Sequence, residues 1–233
     1  MGKDIFLQML GGESRAYLAL PESGRGPGVI LIHEIAGINF HLRAAADFYA
    51  GLGYVVLAPN MFWRLDPVAE NDYTKEGLGR AEGLMNRHTD AEGASDMRVI
   101  AKAFRQMPEV TGKIGAMGYC FGGRMAFLAA ANGDIDAAAG FYPTWVERCL
   151  DKADQVKCPM SLHFPERDVL ESPDATAKVI ERFKNRKDVE CFVYPGAGHA
   201  FDSDSARAVY HRFASQLANS RVAVFFHRTL VAS

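Results

Sequence analysis

Cysteine is scarce in this chain. Cys120, Cys149, Cys158 and Cys191 are four thiols among 233 residues, and no two of them form a CxxC pair. That density excludes a disulfide scaffold and points to reduced thiols in a cytoplasmic protein. An excess of one charge is also missing. Lys plus Arg is 26 and Asp plus Glu is 28, a formal net of −2, so no nucleic-acid partner is expected. Long hydrophobic runs are absent: none approaches the roughly 18–20 residues that a spanning helix needs, so no membrane partner is expected either. The first residues, MGKDIFLQMLGGES, break their apolar stretch at Asp4 and lack the continuous core of a secretory signal. Phe6 stands where a myristoylation site takes Ser or Thr. Internal repeats and low-complexity segments are lacking too.

What is present is an ordinary globular composition, 48% hydrophobic and 23% charged. The length allows one domain or at most two. The oligomeric state is left open, and a monomer is compatible with residues 1–233. Asp4–Leu10 and Arg15–Leu20 flank Gly11-Gly12 as an N-terminal hairpin. GVILIH (28–33), YVVLA (54–58) and KIGAM (113–117) are continuous apolar runs, the mark of strands buried on both faces. Ile135–Phe141, Met160–Phe164 and ECFVY (190–194) are further strands. Helical patterns fall at Leu42–Gly51, Ala91–Met107, Arg124–Ala131, Pro173–Lys184 and Ser205–Leu217, and Val222–Leu230 closes the chain. This alternation predicts an α/β class, a mostly parallel sheet with helices on both faces. The polar stretch Phe62–Arg87 reads as part of a lid over about residues 62–90.

In parallel sheets the chemistry gathers at the carboxyl ends of the strands. After KIGAM comes GYCFGG, a strand–turn–helix G-x-C-x-G motif with Cys120 as candidate nucleophile. The glycines admit a strained turn, the following helix favours a thiolate, and the Phe121 amide is aimed at a developing oxyanion. Of seven histidines, His199 sits in PGAGHAF after the last strand, and two glycines can present it to a cleft as base. His163 lies inside a strand and reads as structural; His41, His88, His211 and His227 read as surface or satisfied core. The acid that orients the base is Asp168 or Glu166 of PERD, with Asp168 preferred. Nucleophile, acid, base is the α/β-hydrolase chain order. The HEIAG loop after GVILIH supplies a second oxyanion amide, Ile35, and carries Glu34, either a solvated or ion-paired loop residue or a carboxylate that contacts the thiol.

GYCFGG, HEIAG, PERD and GAGHAF, in this order and spacing, resemble the dienelactone hydrolases (carboxymethylenebutenolidases) over nearly the whole chain. The resemblance implies a single α/β-hydrolase domain, no cofactor, no metal and a Cys120–His199–Asp168 triad. Such an enzyme cleaves a small-molecule lactone or ester through an acyl-enzyme, with Glu34 coupling thiol activation to substrate. The chain departs from dienelactone-cleaving members in placing Ala200 after the base, where they carry Ser followed shortly by Arg. Arg64, Arg80, Arg87 and Arg207 are the candidate holders of a substrate carboxylate, with Trp63 and Tyr73 nearby. A general carboxylesterase with neutral substrates and a non-catalytic binding relative are the alternatives, and a complete triad counts against the second. Thiol redox chemistry lacks a resolving cysteine near Cys120 in sequence.

Overall fold

Gly11 and Gly12 turn the chain back on itself between β1 (Lys3–Met9) and β2 (Gly12–Ala19), and the two pair antiparallel. The structure, a computed structural model, describes residues 2–204, 206 and 209–232. β2 passes antiparallel to β4 (Val55–Pro59), which runs parallel to β3 (Gly26–Ile32). β5 (Val110–Tyr119), β6 (Ala137–Phe141), β7 (Met160–Arg167) and β8 (Val189–Gly198) extend the parallel part. The sheet order is β1-β2-β4-β3-β5-β6-β7-β8.

The central strands are apolar because helices cover both faces. Alternate residues of a strand point to opposite sides. On β5, a side chain at Gly115 would meet Phe226 and Leu230, near the chain's end, whereas one at Gly118 would meet the backbone at Gly122. α1 (Phe40–Gly51) and α6 (Arg212–Phe226) share the first face, joined by Tyr49 to Asn219 (3.1 Å) and by the Tyr49–Phe226 rings. α3 (Asp90–Arg105) and α4 (Phe121–Asn132) pack together on the second. α5 (Pro173–Phe183) lies against a 3₁₀ segment, Val146–Gln155.

Three expectations need correction. The polar stretch before Arg87 contains a helix, α2 (Lys75–Arg87), capped by the Thr74 hydroxyl on Gly77 N–H. Its three glycines conceal the pattern, yet Leu78, Ala81 and Met85 fall on one face. The helix expected from Ser205 begins at Arg212 instead, where His211 caps it, and continues to Phe226; Ser205 lies outside the described residues. β7 and β8 run beyond their apolar cores, so Pro165, Glu166 and Arg167 still belong to a strand.

Where α4 meets the sheet, contact is backbone on backbone. A Cβ on Gly122 would collide with the Ile32 and His33 carbonyl oxygens. Gly122→Ala is therefore expected to destabilise the fold by about 2–3 kcal/mol, a fall of roughly 5–10 °C in Tm for a chain of this size. Thermal unfolding followed by circular dichroism checks this; an unchanged Tm would mean that α4 can back away freely.

Candidate active site

Cys120 links β5 to α4 with φ 52° and ψ −116°, a conformation that few residues other than glycine adopt. Such strain costs on the order of 1–3 kcal/mol and is held by its surroundings. The Cys120 N–H donates to Phe141 O (2.9 Å), and its carbonyl accepts from Gly123 N–H (3.0 Å) and Thr144 N–H (3.2 Å). The sulfur thus sits at the N-terminus of α4, whose dipole favours a thiolate. Phe121, the first helical residue, keeps an amide that needs no intrahelical partner.

His199 follows β8 directly. Its Nδ1 lies 2.9 and 3.0 Å from the two carboxylate oxygens of Asp168. The Asp168 side chain is nearly buried. It is fixed from the other side by the amides of Leu170 (2.8 Å) and Glu171 (3.3 Å). Glu166, the other candidate acid, accepts instead from Gly196 N–H (2.9 Å) and pairs with Arg167. With Nδ1 on Asp168, the remaining nitrogen of His199 is left for Cys120, which lines the same cavity. Burial pulls the His199 pKa down. The charge on the Cys120 sulfur and the bonds to Asp168 and Cys120 outweigh burial and raise it to about 10.

Glu34 closes the other side. Its carboxylate accepts from Ala36 N–H (2.9 Å) and from the Tyr73 hydroxyl (3.2 Å). Burial pushes its pKa up, against those two bonds, the His199 charge and the Ile35 amide. The hydrogen-bond contact of the Cys120 sulfur is Thr144, whereas the Glu34 carboxylate is folded back over its own loop. The Ile35 amide, the candidate second oxyanion donor, is near enough to that carboxylate to oppose the effect of burial on it. His33 holds that loop in place: Met61 N–H donates to its Nε2 (2.9 Å), which leaves Nδ1–H for Glu34 O (2.5 Å).

A cavity of about 930 Å³ opens over Cys120 and His199. Tyr73 and, from α2, Leu78 and Met85 form one wall. Trp145, Val169 and Leu170 line it further. Three of the four candidate arginines lie elsewhere. Arg64 forms a two-pronged pair with Asp96 (2.6 and 2.9 Å) and stacks on Trp63, whose Nε1 also donates to Asp96 (2.9 Å). Both residues are committed to a buried carboxylate and do not line the cavity. Arg80 bonds Glu76 and Asn71 at the α2 surface. Arg87 ends that helix outside the cavity, and Arg207 lies outside the described residues. Among the described residues the guanidinium that does line the cavity is Arg167.

Sequence reasoning missed Tyr142, whose ring packs edge-on to His199 (5.1 Å), and Thr144, whose hydroxyl is 3.8 Å from the Cys120 sulfur. Both follow β6, an end of a buried strand, and that position was the available signal. His163 is buried and bonded to Tyr194 and Ser161, as a structural histidine is. His88, expected to be satisfied or at the surface, packs between Phe62 and Phe121 with neither ring nitrogen hydrogen-bonded, and His41 Nε2 is likewise unbonded.

A cysteine on a strained strand-to-helix turn, with a histidine and its carboxylate partner after later strands of a mostly parallel sheet, is the arrangement of an α/β-hydrolase fold. The chain belongs to the dienelactone hydrolase family, whose model matches residues 14–230. It is a hydrolase that acts on ester bonds. It is 32% identical over 215 residues to a carboxymethylenebutenolidase of Pseudomonas sp. strain P51, covering 91% of this chain and 88% of that one. It is 30% identical over 207 residues to one of Pseudomonas putida, covering 88% and 87%. A dienelactone hydrolase-like promiscuous phosphotriesterase from metagenomic libraries shares the fold, with a TM-score of 0.84, 20% identity, and 99% and 98% of the chains covered. Among the described residues no helix is long and apolar enough to cross a membrane.

The Arg64 finding is testable. Arg64→Ala leaves Asp96, 1% exposed, with Trp63 as its remaining donor. A loss of about 1–3 kcal/mol in stability is expected, discounted because Arg64 is partly in solvent. KM should not move. A raised KM for an acidic substrate with an unchanged Tm would return Arg64 to the binding site.

Proposed function

We propose that the protein hydrolyses lactones or small carboxylic esters through a Cys120 acyl-enzyme. The observation that carries this reading is the line from Asp168 through His199 to Cys120, set in a cavity large enough for a small acyl substrate. The thiol proton passes to His199. The sulfur attacks the carbonyl carbon, a C–S bond forms, and the carbonyl π pair moves to oxygen, where the Phe121 amide meets it. Ile35 N–H joins when the substrate draws Glu34 away. Collapse breaks the C–O bond, and the departing alkoxide takes the proton from His199. Water, relieved of a proton by the same imidazole, then cleaves the thioester and releases the acid. We also place the enzyme in the cytoplasm, in keeping with four free thiols.

Cys120→Ala is expected to abolish turnover of chromogenic esters, and Cys120→Ser to leave little. The leaving group needs the imidazolium, so kcat/KM should fall as pH rises through about 10. Asp168→Asn removes one of the causes that raise the His199 pKa, so the limb should move toward neutral pH and kcat should drop. Steady-state pH profiles check both. Retained activity in Cys120→Ala would remove the nucleophile assignment.

A neutral substrate is favoured over an anionic one by a specific observation: the wall is apolar, and Arg64 and Arg80 are engaged elsewhere. Arg167, largely exposed and paired with Glu166, is the guanidinium left to test. Arg167→Ala is expected to change KM equally little for an acidic lactone and a neutral ester. A KM raised several-fold for the acidic substrate alone would reinstate an anion site.

A further inference from the structure

Thr144 comes from the connection between β6 and the 3₁₀ segment, and it is bound to the nucleophile twice. Its N–H donates to the Cys120 carbonyl (3.2 Å), and its hydroxyl lies 3.8 Å from the Cys120 sulfur, within range of a sulfur hydrogen bond. The side chain is buried, 2% exposed, and that sulfur is its hydrogen-bond partner. The residues on either side are rigid. Tyr142 and Trp145 hold positive φ angles of 38° and 58°, and Pro143 lies between Tyr142 and Thr144. Trp145 N–H donates to Glu171 (2.8 Å), and its ring is covered by the guanidinium groups of Arg124 (4.9 Å) and Arg148 (4.6 Å). The hydroxyl is therefore delivered to the sulfur by a segment with little freedom to withdraw it.

We propose that Thr144 is a further catalytic residue, whose hydroxyl donates a hydrogen bond to the Cys120 thiolate and so holds the nucleophile in its charged form. A thiolate is an acceptor only, so in that state the hydroxyl must be the donor. When the sulfur carries its proton the same contact can reverse, with S–H donating to Oγ1. No bond is made or broken at Thr144. The thiol proton travels to His199, and the hydroxyl keeps its own. Among the described residues, the titratable and charged groups around the sulfur are His199 with Asp168, Glu34, Tyr73 and Tyr142, with Glu82, Arg167, Tyr210 and His211 also on the cavity wall and Glu171 on the Trp145 amide. Thr144 adds a neutral donor to this set, and its contribution therefore persists across the pH range in which those groups change charge.

The inference rests on the reading of Cys120 as nucleophile, but its test is made on the thiol itself. The rate of alkylation by iodoacetamide is measured against pH, read by mass spectrometry on the Cys120 peptide, in the parent, Thr144→Val and Thr144→Ser. Val is close in shape and lacks the hydroxyl. The Val variant should move the alkylation midpoint up by roughly 0.5–1 pH unit and lower kcat/KM several-fold at pH 7, and the Ser variant should restore both. If the Val variant loses its native circular dichroism, Thr144→Ala takes its place in the comparison with Ser. A midpoint in the hydroxyl-free variant that coincides with the parent's overturns the proposal, as does a Ser variant that behaves like Val. Failure of the nucleophile reading would show separately, as turnover retained by Cys120→Ala.

Discussion

The close approach of α4 to the sheet is the constraint on which the site depends. Gly118 and Gly122 let helix backbone rest on strand backbone, and the chain turns from β5 into α4 in one residue only because Cys120 accepts a positive φ. That turn lifts the sulfur off the sheet and over the helix N-terminus. It also leaves the Phe121 amide beside the sulfur and turns the Cys120 carbonyl toward Thr144. The placement of the Cys120 sulfur, of the Phe121 amide beside it and of the Thr144 hydroxyl against it thus follows from a single packing contact.

The parallel sheet does the rest by register. β3, β5, β7 and β8 end at the same edge, so Glu34, Cys120 and His199, far apart in the chain, share one cavity, and Asp168 reaches His199 from behind it. Charge is then arranged in a row. Asp168 is fixed by two amides, the imidazole is held between carboxylate and sulfur, and Glu34 is tied to its own loop and to Tyr73. The Tyr73 bond joins the α2 side of the cavity to the loop after β3, so a movement of Glu34 alters both together.

Much of this was legible in the sequence because the signals are local. Apolar runs give the strands, and glycine-rich turns at their ends give Cys120 and His199. The shorter carboxylate further into its loop, Asp168, is legible as the partner of His199, while Glu166 still belongs to β7. What escaped was non-local. Arg64 and Trp63 looked like cleft residues, but their partner, Asp96, lies on α3, 32 residues beyond Arg64. α2 hid behind three glycines, and its capping Thr74 is an unremarkable residue in a polar stretch. Tyr142 and Thr144 belong to no motif, and only their place after β6 marks them.

The two tryptophans divide the molecule between them. Trp63 is enclosed at the joint between the hairpin turn at Gly12 and α3, held by Asp96 and Arg64. Trp145 forms part of the cavity wall beneath two guanidinium groups. Intrinsic fluorescence consequently carries two separable signals. A ligand entering the cavity perturbs the emission of Trp145 and leaves Trp63 dark to it, whereas unfolding exposes both. Occupancy and integrity of the fold can then be followed in one cuvette, without a label.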